Sequence, residues 1–362
     1  MTDDHAITVE FHRSLAMSVS AALTLLGHAE EYEGFDPSLY AMYNALQEEL
    51  RNDIRILFKP FGNVLLFDGL LEAEKPIEDL RSLVAWIGRL PTSRIDASNL
   101  VSVRALAEYA GADAAELTIE QLRDSAATAD VLREAFRELE HLLPHVEQIA
   151  AMIANPEELR ANLIYVVTRF WDRHYQSGYA EWKSIEQRSV ETLSRKDLSG
   201  GFQGTFREIT GRDYPTTSAP PLDGVERVVF IPSCFPGPYL SINRLHRNGE
   251  TLSIVYNCRP SGVTGRSIGI PVEEAFGPLK ALADETRLEI LGLLAGRELY
   301  AQQIVRQMKI SQPAVSRHLR LMVACDVLNV RKQDGMKFYT INTEVLKRLG
   351  EHLSGMAGPE SP

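Results

Sequence analysis

Cysteine is scarce in this 362-residue chain: Cys234, Cys258 and Cys325 are an odd number and form no close pair in sequence. That excludes a disulfide framework of the kind that staples small secreted domains. Long apolar runs are missing too. Val64-Leu65-Leu66-Phe67 is broken at once by Asp68 and Gly69, and nothing approaches the ~20 apolar residues a membrane helix needs. The acidic start, Met1-Thr2-Asp3-Asp4-His5, lacks the basic opening of a secretory signal. These absences predict a cytoplasmic protein with no membrane partner.

Catalytic and metal signatures are equally thin. The glycines at Gly200, Gly201 and Gly204 are not followed by the Lys-Ser/Thr of a phosphate loop and read as a flexible break. His141 and His145 have the four-residue spacing of a metal pair, but Pro144 disturbs the helix and no Glu or Cys completes a set. Cys234 has no neighbour to depress its pKa and reads as an inert buried thiol. With no nucleophile–base pair in view, the chain is not expected to be an enzyme, and no cofactor is implied.

What is present is a marked division of charge. The net charge is −11, which disfavours contact with a polyanion if it is spread evenly. It is not. Between Gly277 and Gly350 there are 12 Lys and Arg against 7 Asp and Glu, a net +5, whereas residues 1–276 carry −14. A basic module on an acidic body is oriented by the field of a nucleic acid, because phosphate contact is electrostatic.

Periodicity suggests the organisation. Residues from about 8 to 210 read as mostly helical, with Leu46, Leu50, Ile54 and Leu57, and Leu132, Phe136, Leu139 and Leu143, at spacings of four and three. Asp36-Pro37, Leu90-Pro91-Thr92-Ser93 and Asn155-Pro156-Glu157-Glu158 mark helix boundaries. Composition turns to linker chemistry over Tyr214–Pro221. Arg227–Ile231 and Thr251–Tyr256 then read as strands, and Asn248-Gly249 between them is a hairpin signal. Ser261–Ser267 is a second flexible join. The expected class is therefore mainly α: a helical domain over 1–211, a linker with a small antiparallel β element over 212–271, and a C-terminal module over 272–355.

That module is the most informative part. Leu279, Leu282, Leu288, Ile290, Leu291 and Leu294 supply the apolar face of two helices broken around Asp284-Glu285, and Gly296 stops the second. Ile304, Val305 and Met308 lie on a third. In Met308–Leu319, Ser311 caps a fourth helix, and Pro313 is tolerated because it falls in the first turn. Val315, Leu319 and Met322 form the hidden stripe, leaving Gln312, Ser316, Arg317 and Arg320 outside. A short helix showing Gln, Ser and Arg suits the major groove, where base edges offer matching acceptors and donors. Ser311, Gln312, Ser316 and Arg317 are the candidate base or phosphate contacts. His318 is either a phosphate contact or packing, and Arg320 a phosphate contact or surface residue. Val327–Gln333 and Met336–Ile341 flank Asp334-Gly335, a two-residue hairpin signal, with Arg331, Lys332 and Lys337 about the tip. A cationic hairpin after such a helix is a wing, placed to hold phosphates or enter the minor groove.

Leu279–Leu288, Ser311–Leu319 and Arg331–Gly335 resemble, in the right order, the opening signature, recognition helix and wing of ArsR/SmtB winged-helix regulators. The resemblance covers about the last 85 residues. It implies a dimeric transcription factor, in most members a repressor released by an inducer, acting on double-stranded operator DNA with an inverted repeat. It places the dimer interface on a first helix from about Val272 and on the last helix, through Leu346, Leu349 and Leu353. Many members sense metal through a Cys-x-Cys pair entering the third helix. Tyr300 and Gln302 stand there instead, so a thiolate site is not expected. Lys309 occupies a position where glycine often makes the turn, a modest strain for a residue that needs positive φ. The N-terminal region resembles the extensions of some long ArsR-like regulators.

The N-terminal body itself leaves several readings open. Tyr165, Phe170, Trp171, Tyr175, Tyr179 and Trp182 are interleaved with Arg169, Arg173 and His174. Trp171, Tyr175 and Arg173 would serve as walls and cation of a pocket for a small organic effector, or the aromatics would simply be core. The body is then a sensor, an interaction domain or an enzyme carrying the DNA module.

Overall fold

The structure, a computed structural model, describes residues 7–60, 77–109, 114, 116–136, 140–196, 200–211, 213–215, 219–244, 250–259, 272–333 and 336–356. The N-terminal body is built on α1 (Leu15–Gly27), whose Ser14 side chain accepts from the Met17 amide. Every residue from Leu15 to Leu23 is buried, as befits a helix with no polar face at the centre of a bundle. Around it lie α2 (Pro37–Ala45), α3 (Glu48–Phe58), α4 (Leu80–Arg89), α5 (Thr92–Tyr109), α6 (Ile119–Leu122), α7 (Ser125–Ala135), α8 (Val146–Ala154) and α9 (Pro156–Phe170). Helices begin at the three marked boundaries: Asn155 accepts from the Glu158 amide with Pro156 at the first helical position, Asp36 accepts from the Ser38 amide, and α5 starts at Thr92.

The stripe Leu46, Leu50, Ile54 and Leu57 is buried. The stripe beginning at Leu132 stops after Phe136, because α7 ends there and Pro144 sits in a 3₁₀ turn that leaves Leu143 exposed; Leu139 lies outside the described residues. A π-helical turn, Trp171–Tyr175, joins α9 to α10 (Gln176–Leu193). The glycine-rich segment is helical rather than a loop: α11 spans Gly201–Thr210, with Gly201 at φ +65° opening it.

A mainly helical chain with a small antiparallel pair is observed, but the strand pairing differs from the expectation. Strands β1 (Thr8–Phe11), β2 (Arg227–Ser233), β3 (Ser241–Arg244) and β4 (Thr251–Asn257) form one sheet in the order β1-β2-β4-β3. The antiparallel partner of β4 is β3, across residues 245–249, which include Asn248-Gly249 and lie outside the described residues. Arg227–Ser233 instead runs parallel to β4, with Phe230 opposite Ile254. The local turn signal pairs only the strands beside it, so it could not report the long-range parallel neighbour. β1 adds a further parallel strand from a region read as helical.

Central parallel strands are buried on both faces, and β2 shows how. Val229 and Ile231 pack into the helical core, while Val228 and Phe230 face a second cluster with Phe202, Phe206, Tyr214 and Tyr256. The stretch 212–271 is thus more than a linker, since its sheet is sandwiched between the bundle and α11. The joins at 216–218 and 260–271 fall outside the described residues.

The C-terminal module has its own core. It comprises α12 (Val272–Leu282), α13 (Glu285–Leu293), β5 (Leu299–Tyr300), α14 (Ala301–Met308), α15 (Gln312–Ala324), β6 (Leu328–Gln333), β7 (Met336–Ile341) and α16 (Thr343–Met356). Asp284 caps α13 by accepting from the Arg287 amide, and Gly296 follows its end at φ +69°. Ala281, Ile290, Ile304, Val315, Leu319, Met322 and Tyr339 meet inside. Leu279 and Leu288, expected on the apolar face, are instead 36% and 51% exposed. Among the described residues no helix is long and apolar enough to cross a membrane.

Candidate nucleic-acid interface

The turn into α15 is made as the sequence suggests. Lys309 adopts φ +58°, ψ +27°, the left-handed conformation that closes α14, and Ser311 accepts from the Ala314 amide at 3.4 Å. Pro313 falls in the first turn of the helix. Val315, Leu319 and Met322 are buried, which fixes the rotation of the helix. Ser311 and Gln312 are exposed, and Ser316, Arg317, His318 and Arg320 are half-buried.

The wing is a two-stranded extension of a three-stranded sheet in the order β5-β7-β6. Lys332 pairs with Lys337 and Gln333 with Met336; Asp334 and Gly335 lie outside the described residues. Leu328 and Tyr339 are buried, while Val330 and Ile341 pack partly against the same core. Lys332 is exposed and Lys337 half-buried. Arg331 is committed elsewhere: its guanidinium bonds Glu298 with Nε at 2.6 Å and lies over the Phe338 ring. The hydrogen bond from Arg331 holds the Glu298 carboxyl below its ordinary range.

The cations of α15 meet a segment that sequence reasoning did not connect with them. Arg320 donates to the Glu31 carbonyl at 2.8 Å, and its guanidinium lies 5.0 Å over the Tyr32 ring. Arg317 donates to the Glu30 carbonyl at 3.2 Å, with Nε 4.0 Å from Glu33. His318 Nδ1 is enclosed 3.9 Å from the Glu33 carboxylate and makes no hydrogen bond. Arg287 Nη1 approaches the same carboxylate at 3.0 Å. The signal available in advance was the acidic run Glu30-Glu31-Tyr32-Glu33 and the split of charge between body and module.

Leu349 on α16 is buried within this one chain, Leu346 packs partly against the module core, and Leu353 is 45% exposed. Tyr300 offers no thiolate. Its ring packs edge-on to Phe338 and its amide donates to Gln303 Oε1 at 3.0 Å, while Gln302 is an exposed amide. That donor set does not fit a thiolate-bound metal.

In the body, Trp171 and Tyr175 are buried against each other, and Tyr175 packs against Trp182. Arg173 is exposed on the other side of the turn and donates to Gln47. The three are therefore not brought to one cavity. One buried group and one side-chain pairing nearby escaped the sequence reading. Glu186 is 1% exposed and accepts from Ser18 Oγ at 2.8 Å; burial pushes its carboxyl up to about 8. Cys234 and Cys258, distant in sequence, stand with sulfurs 3.8 Å apart at the ends of β2 and β4. The hydrogen bond shared with Cys234, together with burial, pushes the Cys258 thiol well up.

Residues 284–330 match the family described as bacterial regulatory protein, arsR family. The arsenical resistance operon repressor of Staphylococcus xylosus is 36% identical over 75 residues, which are 21% of this chain and 72% of the relative. The transcriptional repressor SdpR of Bacillus subtilis is 35% identical over 68 residues, 19% of this chain and 76% of SdpR. The transcriptional activator HlyU of Vibrio cholerae is 36% identical over 75 residues, 21% of this chain and 69% of HlyU. The solved structure of HlyU aligns at a TM-score of 0.21, covering 22% of this chain and 88% of that one at 34% identity. Through its C-terminal module, this chain belongs to the ArsR family of bacterial regulatory proteins.

Proposed function

We propose that the chain is a sequence-specific, DNA-binding transcriptional repressor, working in the cytoplasm as a homodimer on an inverted-repeat operator. The observation that carries this reading is α15 itself: a capped helix with its apolar stripe buried, Gln312 and Ser311 outward, and a cationic hairpin alongside. Gln312, Ser316 and Arg317 read base edges in the major groove, and Lys332 and Lys337 hold phosphates. Half-sites then lie about one helical turn, ~10 bp, apart. The dimer reading is supported by Leu279 on α12 and Leu353 on α16, large apolar side chains left exposed on two helices that pack together. Repression follows the relatives named as repressors; HlyU, named an activator, is the precedent for the opposite sign. In this reading a non-metal small ligand on the N-terminal domain, residues 1–211, controls the module.

The test is Arg317→Ala in a shift assay against the selected operator. The expected loss of specific affinity is ~1–3 kcal/mol, with base preference relaxed at one position per half-site. Full affinity and selectivity in that variant would overturn the assignment of α15.

A further inference from the structure

We propose that the acidic segment Glu30–Glu33 is an intramolecular ligand of the DNA-reading helix, so that the chain occludes its own interface until DNA displaces the strap. The inference rests on the reading of α15 as the recognition helix and names how that site is regulated.

The strap presents to α15 the same chemistry as a phosphodiester backbone: oxygen acceptors in a row with negative charge around them. The Glu30 and Glu31 carbonyls take the guanidiniums of Arg317 and Arg320. The Glu33 carboxylate sits among Arg287, Arg317 and His318. Tyr32 stacks under Arg320, an arrangement worth more where water is excluded. Apolar contact completes the seal: Leu321 is 3% exposed, and a Cβ at Gly34 would stand 3.0 Å from its Cδ1. Gly34 has φ +91°, so glycine is what lets the strap approach this closely.

The strap is not a loose tail that happens to rest there. The Asp36 amide donates to the Phe235 carbonyl at 3.0 Å, and Tyr239 Oη donates to the Glu33 carbonyl at 2.6 Å. Tyr40 Oη donates to the Tyr32 carbonyl at 2.9 Å. Tyr32 stacks on Phe35 and Tyr239 meets both rings edge-on, and Gly237 touches the Gly34 carbonyl so closely that any side chain would collide with it. Tyr239 packs against both the bundle core and the module core. The body thus holds the strap against Arg317, His318 and Arg320 of α15, while Ser311, Gln312 and Pro313 stay exposed. A duplex that engages Arg317 must first break these contacts. Because displacement has a free-energy cost, it lowers apparent affinity by the fraction of chain that is open.

The experiment compares full-length wild type with Glu33→Gln, which removes the carboxylate without adding a cation, and with Tyr32→Ala. Affinity for the selected operator and for a scrambled duplex is measured at fixed salt, and amide exchange is followed over residues 29–36 with and without operator. Both variants are expected to bind both duplexes tighter, the operator by about ten-fold. Exchange over 29–36 is expected to rise in wild type when operator is added. If Glu33→Gln binds no tighter and exchange over 29–36 is unchanged in the complex, the strap coexists with DNA and the inference is overturned, while the reading of α15 stands. If neither wild type nor Glu33→Gln binds any duplex, the reading of α15 fails and the strap's regulatory role fails with it. Should Tyr32→Ala lose folded structure through its aromatic cluster, Glu33→Gln, half-exposed at its carboxylate, carries the comparison alone.

Discussion

Arg287 and Glu33 stand 254 positions apart in the chain and meet at 3.0 Å, tying the DNA module to the N-terminal body. Arg287 is 7% exposed and also donates to the Ala281 and Lys280 carbonyls. One guanidinium thus ties the α12–α13 corner to the strap. Planar, forked donors can serve several acceptors at once in a way an ammonium cannot.

Replacing Arg287 with Ala therefore leaves the buried Ala281 carbonyl without its side-chain donor and takes the nearest cation from the Glu33 carboxylate, at an expected cost of ~1–3 kcal/mol. Arg287→Lys is expected to recover only part of it. Urea unfolding of the three proteins measures this, and a loss below ~0.5 kcal/mol, the range of ordinary surface substitutions, would contradict the contact.

Glu186 gives the body a pH signature of defined sign. Its carboxyl is raised from 4.5 to about 8 chiefly by burial, against the opposing pull of Ser18 and Arg13. Between those values the native state holds a proton that the unfolded chain has released, so stability falls as pH rises from about 4.5 to about 8. The urea midpoint is expected to be lower at pH 8 than at pH 5.5. Glu186→Gln, a neutral isostere, is expected to flatten that slope; an equal slope in both proteins would refute the assignment.

Two of the wing cations are expected to differ. Lys332 is exposed at the tip, whereas Arg331 is held by Glu298 and Phe338. Lys332→Ala should weaken operator and scrambled duplex alike and reduce the salt slope by about one, while Arg331→Ala does less. A Lys332→Ala loss confined to one operator would mean that the wing reads sequence.

The parts legible in the sequence are those specified within a few residues. Ser311 caps the helix it precedes, two helices break at Asp284-Glu285, Lys309 takes the left-handed turn, and the strands on either side of Asp334-Gly335 pair as a hairpin. The periodic burial of Val315, Leu319 and Met322 needed nothing beyond a 3.6-residue period. What stayed hidden depends on partners far along the chain. Arg227–Ser233 carries no local mark of choosing a parallel neighbour, and Cys234 meets Cys258 only because that pairing brings the two strand ends together. Glu30–Glu33 reads as an ordinary solvated acidic run until the tertiary fold sets it against α15. Arg317, singled out as a DNA contact, could not have been seen to be engaged already by the Glu30 carbonyl.

The most direct test of the central claim is selection of genomic duplex fragments by the full-length protein, followed by salt titration of the recovered sites. A short inverted repeat with half-sites about one helical turn apart, bound far tighter than bulk DNA, is the predicted result. Recovery of sequence-blind, steeply salt-sensitive binding alone would contradict it, leaving the module a cationic anchor and not a reader of sequence.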